Sequence, residues 1–326
     1  MNQELKKVLE SLLSKTSVLY HYCSVPAFFS IVKNKSIWLS DVSKSNDSQE
    51  LRWFLTEYEK LLHSLWYSLL LERKKAGFED DPIETQELYS SLSQELYSDC
   101  VKCWAFCLSE KRDDLGQWRG YADNGKGIAI GFKREPFNAI VNEEILRLEK
   151  VNDESVLSPR FDYVRYGKIP LSHFVENFRK KLKLSVDLSP TMLRRILSSS
   201  ITGAYKISPF YKNEGFSAEA EWRIIYSQEY DSITYDGVLE TDHDVKVDTT
   251  NIFRPTNWGY IEKNSDLVSH IEFVNEDFSN SIAEIIIGPK CKLTEDEVKL
   301  FMVSCGLFSN INSCSVNVYK SESSYR

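Results

Sequence analysis

The chain has 326 residues, 42% of them hydrophobic and 27% charged, with a formal net charge of −8. This composition is that of a soluble globular protein able to bury a full core, in one large domain or two. It excludes a broad nucleic-acid footprint, which needs an excess of Lys and Arg, and no apolar run approaches the ~18 residues of a membrane span.

Residues 3–15 carry Leu5, Val8, Leu9, Leu12 and Leu13 at helical spacing. This amphipathic start lacks the charged-apolar-small order of a signal peptide, so a cytoplasmic location is expected. Val18 to Tyr22 reads as a short strand. Ser24 caps a helix with Pro26 in its first turn, and Ile37 to Leu39 forms the next strand. Asp41 to Asn46 is a polar loop, and Asp47 with Glu50 resembles a capping box opening a Leu-rich helix to about Lys75. Another helix runs to Tyr97 after the acidic break at Gly77 to Pro82.

A strand is expected over 101–109, then a short helix from Asp114, a turn at Asp123 to Gly127, and a strand over 128–132. Phe161 to Tyr166 is a further strand, and 171–205 is helical with a break near Pro190. The last third is richer in strands, at 221–226, 258–262, 268–274 and 283–287. A helix capped by Thr294 and Glu297 follows, closed by Gly306, and a terminal strand lies at 315–319. Helices and strands mix without βαβ alternation, which predicts a single α+β domain over 1–326, with helical insertions near 47–98 and 171–205 packed on one sheet.

Seven cysteines, an odd number, point to free thiols in a reducing compartment. Cys100, Cys103 and Cys107 have no fitting fourth Cys or His nearby for zinc, so they read as small apolar residues of a buried strand, with no metal.

Three groups of residues could carry chemistry. His21 offers one donor and one acceptor to a ribose hydroxyl or carboxamide; alternatively, it is a partly buried histidine satisfied by backbone. Tyr20 and Tyr22 point to the opposite sheet face and suit the core, though Tyr22 also borders the candidate cleft. Glu219 and Glu221 are expected on one strand face with Arg223, as a catalytic pair or as a surface ladder of charges. In the segment from Gln117 to Tyr121, Arg119 suits a phosphate and Trp118 or Tyr121 suits stacking on a ring, or else the aromatics are core anchors. Ser40 and Asn46 are placed to line the same cleft. A histidine beside a pair of carboxylates fits cleavage of a nucleotide-linked glycosidic bond, where positive charge builds on the sugar.

In order along the chain stand Tyr20-His21-Tyr22, Trp38-Leu39-Ser40, Asn46-Asp47 with Glu50, Ser109-Glu110, Trp118, Tyr121-Ala122, Gly127 and Glu221-Trp222-Arg223. This order, over about 18–290, resembles a bacterial domain family of unknown function found among phage-defence and abortive-infection proteins. The opening is also similar to the ADP-ribosyltransferase fold. That likeness implies a split-sheet NAD-binding core, with the nicotinamide-side role at His21, the catalytic role at Glu221, and Glu219 as the upstream member of a Glu-x-Glu pair. It implies NAD as substrate, a nucleic-acid or protein acceptor, and an antitoxin or phage-derived trigger as partner, with no membrane association. Two other readings stay open. One is a non-catalytic module sensing a nucleotide or phage component, since no Ser-Thr-Ser motif is present. The other is a Mg-dependent nuclease using Glu219, Glu221, Asp47 and Glu110.

Overall fold

In the computed structural model, residues 17–44, 50–98, 101–139, 159–168, 187–229, 253–263 and 265–325 are described. The helix expected over 3–15, the residues Asn46, Asp47 and Cys100, and the first half of the 171–205 insertion lie outside them.

Local signals set the element ends. Helix α1 (Val25–Asn34) starts where the Ser24 hydroxyl accepts from the Ala27 N–H at 3.3 Å, and it stops at Lys35, which sits in the left-handed region at φ 54°. Further along, α2 (Glu50–Lys75), α3 (Pro82–Leu96), α4 (Leu115–Tyr121), α5 (Pro190–Ile207) and α6 (Glu295–Ser304) follow. In α6 the capping box read from Thr294 and Glu297 is formed in both directions. No helix among the described residues is long and apolar enough to cross a membrane.

Ten strands form one sheet: β1 (Val18–Cys23), β2 (Ser36–Asp41), β3 (Val101–Ser109), β4 (Ile128–Lys133), β5 (Arg160–Tyr163), β8 (Glu221–Glu229), β9 (Arg254–Lys263), β10 (Asp266–Val274), β11 (Ile282–Ile287) and β12 (Asn317–Lys320). Two short strands, β6 (Arg165–Tyr166) and β7 (Tyr211–Lys212), pair with each other in parallel. In the main sheet β11 and β12 are parallel and the other pairings antiparallel, giving a mixed α and β fold dominated by one antiparallel sheet.

The sheet forks at β3. One edge of β3 is paired over its whole length with β8, from Val101 opposite Glu229 to Ser109 opposite Glu221. The other edge meets two strands: β2 at Trp104–Ala105 and β1 at Ser109. Between these contacts β1 turns away with β4, and β2 with β10. The fork therefore opens along residues 106–108.

Strand alternation divides the core. Trp104, Phe106 and Leu108 of β3 join Trp222, Ile224 and Tyr226 of β8 in the largest apolar cluster, on the face covered by α1 and α6. The opposite face of the same strands, with Cys103, Ala105 and Ile225, packs under α2, α3 and α5 in a second cluster. The helical stretches thus lie on the sheet, each buried Leu, Phe or Trp contributing on the order of 1.5–3 kcal/mol. A third, smaller cluster sets Tyr20, Tyr22, Ala129 and Ile286 beneath Trp118 and Ala122 of α4 and its end. Beyond α4 the chain re-enters the sheet at Gly127, where a Cβ would meet the Cys23 carbonyl oxygen at 2.1 Å. Only glycine permits that approach.

Candidate functional site

Between the helical cluster and α4, on the face carrying Cys107 and Ser109, lies a cavity of about 290 Å³. Its walls come from distant parts of the chain. Strand β1 supplies Tyr20, His21 and Tyr22, and β3 supplies Cys107 and Ser109. Helix α4 adds Gln117 and Tyr121; Lys212 enters from β7, and Phe216, Glu219, Glu221 and Arg223 complete the floor.

Glu221 and Arg223 face the cavity because they alternate with the core residues Trp222 and Ile224 along β8. Glu219 reaches it differently. A 3-10 turn (Glu214–Glu219) ends there, and Ala220 crosses the left-handed region at φ 46° before the strand begins. The expectation that Glu219 shares a strand face with Glu221 is therefore corrected: turn geometry, not alternation, brings the carboxylates together. Ser109 pins the turn, its Oγ donating to the Glu219 carbonyl at 2.6 Å.

The charges form a closed chain. The Lys212 ammonium donates to Glu219 Oε2 at 2.8 Å and to Glu221 Oε2 at 2.7 Å. Arg223 holds Glu221 through Nε (2.7 Å) and Nη2 (3.0 Å), and its Nη1 donates to the Pro209 carbonyl at 2.6 Å. The Tyr121 hydroxyl donates to Glu219 Oε1 at 2.5 Å. Glu221 and Arg223 are 7% and 2% exposed, which rules out a surface ladder. Burial works to raise the Glu221 pKa, but the adjacent Arg223 and Lys212 outweigh it and hold the carboxyl at about 2. The Cys107 thiol opens onto the cavity beside Glu221. Desolvation, and then the Glu221 charge, push its pKa well above the usual thiol value, so it stays protonated.

His21 closes the fork from β1. Its Nδ1 lies 2.9 Å from the Cys107 carbonyl oxygen, and its ring stacks on Phe106 with centroids 4.2 Å apart. Desolvation lowers its pKa to about 4, so at neutral pH the imidazole is uncharged.

The structure thus brings together His21, Tyr22, Tyr121, Glu219 and Glu221. It separates the other candidates. Trp118 is fully buried, its indole N–H bonded to Asp113 at 2.6 Å and its ring edge-on to Tyr22, so it is a core anchor rather than a ligand contact. Arg119 is exposed on the far side of α4, with its guanidinium 4.8 Å from the Tyr325 ring. Ser40 is exposed on β2, opposite His270 and Ala105, outside the cavity wall. Asn46 lies outside the described residues.

Cys103 is buried in β3 as expected, whereas Cys107 is exposed toward the cavity, which corrects its reading as a core residue, because alternation turns it to the face opposite Phe106 and Leu108. Among the described residues there is no cluster of three or more His, Cys, Asp or Glu suited to a metal. Glu110, invoked for a metal site, accepts from the Trp222 indole at 2.9 Å. Lys212, Cys107 and Ser109 were not among the expected site residues, and Gln117 stood in a candidate segment without a role of its own. Alternation from Trp104 and Phe106 could have flagged Cys107 and Ser109; Lys212, on a two-residue strand, carries no sequence signal.

Residues 117–224 match a family described as a protein of unknown function (DUF2971). This similarity to an uncharacterised family spans less of the chain than the motif order does. It covers the stretch from Gln117 to Arg223 in the cavity wall but not His21 or Cys107. No curated protein and no solved structure matches the chain.

Proposed function

We propose that this cavity takes the nicotinamide–ribose half of NAD, and that the protein is an ADP-ribosyltransferase-like effector acting on a nucleic-acid or protein acceptor. The observation that carries this reading is the Glu221 carboxylate. It is buried, held ionised, and shares a small cavity with the neutral His21 and with Glu219. Such a fixed negative charge stabilises a sugar that becomes positive as its glycosidic bond breaks.

In the step itself, the C1′–N bond breaks and its electron pair leaves on the nicotinamide nitrogen, neutralising the pyridinium. An acceptor oxygen then bonds C1′, and its proton passes to the Glu219 carboxylate. The volume lies at the lower end of ligand pockets, ~300–1,000 Å³, and suits one nucleoside half rather than a whole dinucleotide. A toxin or anti-phage role, with an antitoxin or phage-derived trigger, belongs to the same proposal and rests on the motif order.

The test is incubation of the purified protein with NAD and cell lysate, measuring free nicotinamide and labelled ADP-ribose on macromolecules. Release that drops roughly 100- to 1,000-fold in Glu221→Gln supports the reading, on the scale of losing one key electrostatic group. No release, or equal release from Glu221→Gln, refutes it.

A second reading, a nucleotide-sensing module without turnover, is favoured by one feature. Both Glu221 oxygens already accept from Arg223, and Oε2 also accepts from Lys212. A carboxylate whose job is to hold two cations would leave ligand binding intact in Glu221→Gln, with no nicotinamide released by either protein.

A further inference from the structure

We propose that Gln117 is the residue that reads the ligand of this cavity, and that it selects a flat, non-anionic ring bearing an amide-type edge, one donor beside one acceptor. This rests on the cavity assigned above but not on any turnover there.

Gln117 lines the cavity and is only 7% exposed. Its backbone N–H is bonded to Asp114 Oδ1 at 3.0 Å, whereas its carboxamide makes no hydrogen bond to another described residue. A carboxamide on a largely buried side chain, with no partner among the described residues and its polar atoms open to the cavity, is available to a group met from outside the chain.

The reason for its freedom lies in the helix start. Asp114 and Gln117 occupy the N-cap and N3 positions of α4, and a glutamine at N3 ordinarily reaches back to the N-cap N–H. Here the Asp114 N–H donates instead to the Tyr22 hydroxyl at 3.1 Å, which donates onward to the Lys111 carbonyl at 2.7 Å. Strand β1 has taken over half of the capping box, and the Gln117 side chain is released to the cavity.

The surroundings set the class of ligand. Lys212 and Arg223 are matched to Glu219 and Glu221, so an entering phosphate or carboxylate meets two carboxylates whose cations are already engaged. His21 donates through Nδ1 to a carbonyl, which leaves Nε2 as an acceptor. Tyr20, Tyr121 and Phe216 add ring surface. A carboxamide supplies both a donor and an acceptor, and its best complement is another amide-type edge.

Nicotinamide and nicotinic acid share a ring and differ in this edge alone, so calorimetry with each on the full chain is the test. The wild type should bind nicotinamide at least about tenfold more tightly than nicotinic acid, and Gln117→Leu should weaken nicotinamide binding by about 10- to 100-fold. Tyr22→Phe leaves Gln117 in place but frees the Asp114 N–H for it, and should weaken nicotinamide binding in the same direction. Failure of the wild type to bind nicotinamide, a preference for nicotinic acid, or unchanged binding in a folded Gln117→Leu overturns the assignment. Gln117-dependent binding with no cleavage of NAD would sink the transferase reading and leave this one standing.

Discussion

His21 and Cys107 are joined across the fork of the sheet, the imidazole Nδ1 lying 2.9 Å from the carbonyl oxygen. A carbonyl only accepts, so Nδ1 carries the proton and Nε2 has none. The bond ties β1 to the stretch of β3 where regular pairing between the two strands has ended. One contact thus seals the sheet and fixes the tautomer of a cavity residue.

That tautomer and the low pKa can be read by nitrogen NMR. His21 should titrate near pH 4 and display a protonated Nδ1 at neutral pH. Its folded pKa is below the ordinary 6.5, so protonation favours the unfolded chain. Its contribution to stability is complete above pH 6.5 and declines as pH falls toward 4. The urea midpoint should fall over this window in the wild type and less steeply in His21→Asn. A midpoint near pH 6.5 in the NMR titration would contradict the desolvated setting of the ring.

The Glu221–Arg223 pair predicts a second acid response. Its depressed pKa means stability present above about 4.5 and lost as pH falls toward about 2. Removing one partner should be harsher than removing both. Arg223→Met leaves Glu221 buried beside Lys212 alone and should cost about 3–5 kcal/mol in urea unfolding, whereas the double variant Glu221→Leu with Arg223→Met should cost less. With Glu221→Leu alone completing the cycle, a double-variant loss equal to the sum of the two single losses would mean the pair is not coupled.

Two neighbours on α4 should separate cleanly. Arg119→Ala should leave nucleotide binding unchanged, because Arg119 stacks on Tyr325 outside the cavity. Trp118→Ala should destabilise the whole protein by about 3–5 kcal/mol through loss of a fully buried ring. Denaturant melts and binding isotherms of the two variants check this, and weakened binding in Arg119→Ala would return that side chain to the site.

Gly127→Ala should fail to accumulate as folded protein, since the added methyl would sit 2.1 Å from the Cys23 carbonyl oxygen and 2.9 Å from that of Ala122. Gly203→Ala, where a Cβ meets nothing within 4 Å, is the control and should fold normally. Comparable soluble yields of the two would show that the β1–β4 junction can relax.

Much of the local structure was legible in the residues. Ser24, Asp114 and Thr294 each cap the helix that begins after them, and alternation marked β3, β4 and β8. Caps and alternation act over a few residues, so a linear sequence carries them. Of the site, the interest of Glu219, Glu221, His21 and Tyr121 could be read from residue type, but Glu219 meets Glu221 through the turn at Ala220 and not through the strand alternation that the short spacing suggested.

The rest depended on long-range register. Whether Trp118 or Gln117 faces the cavity depends on how α4 is rolled against β1, which the Tyr22 hydroxyl and the Asp113 carboxylate decide. Lys212 meets the two glutamates only because β7 pairs with β6, 45 residues and more upstream in the chain. Sequence by itself determined which segments become helix or strand and where most of the chemistry-bearing side chains stand along them. Only the tertiary structure decided which of those side chains share a cavity, because strand pairing and helix roll are settled by contacts between residues far apart in the chain, and no local pattern encodes them.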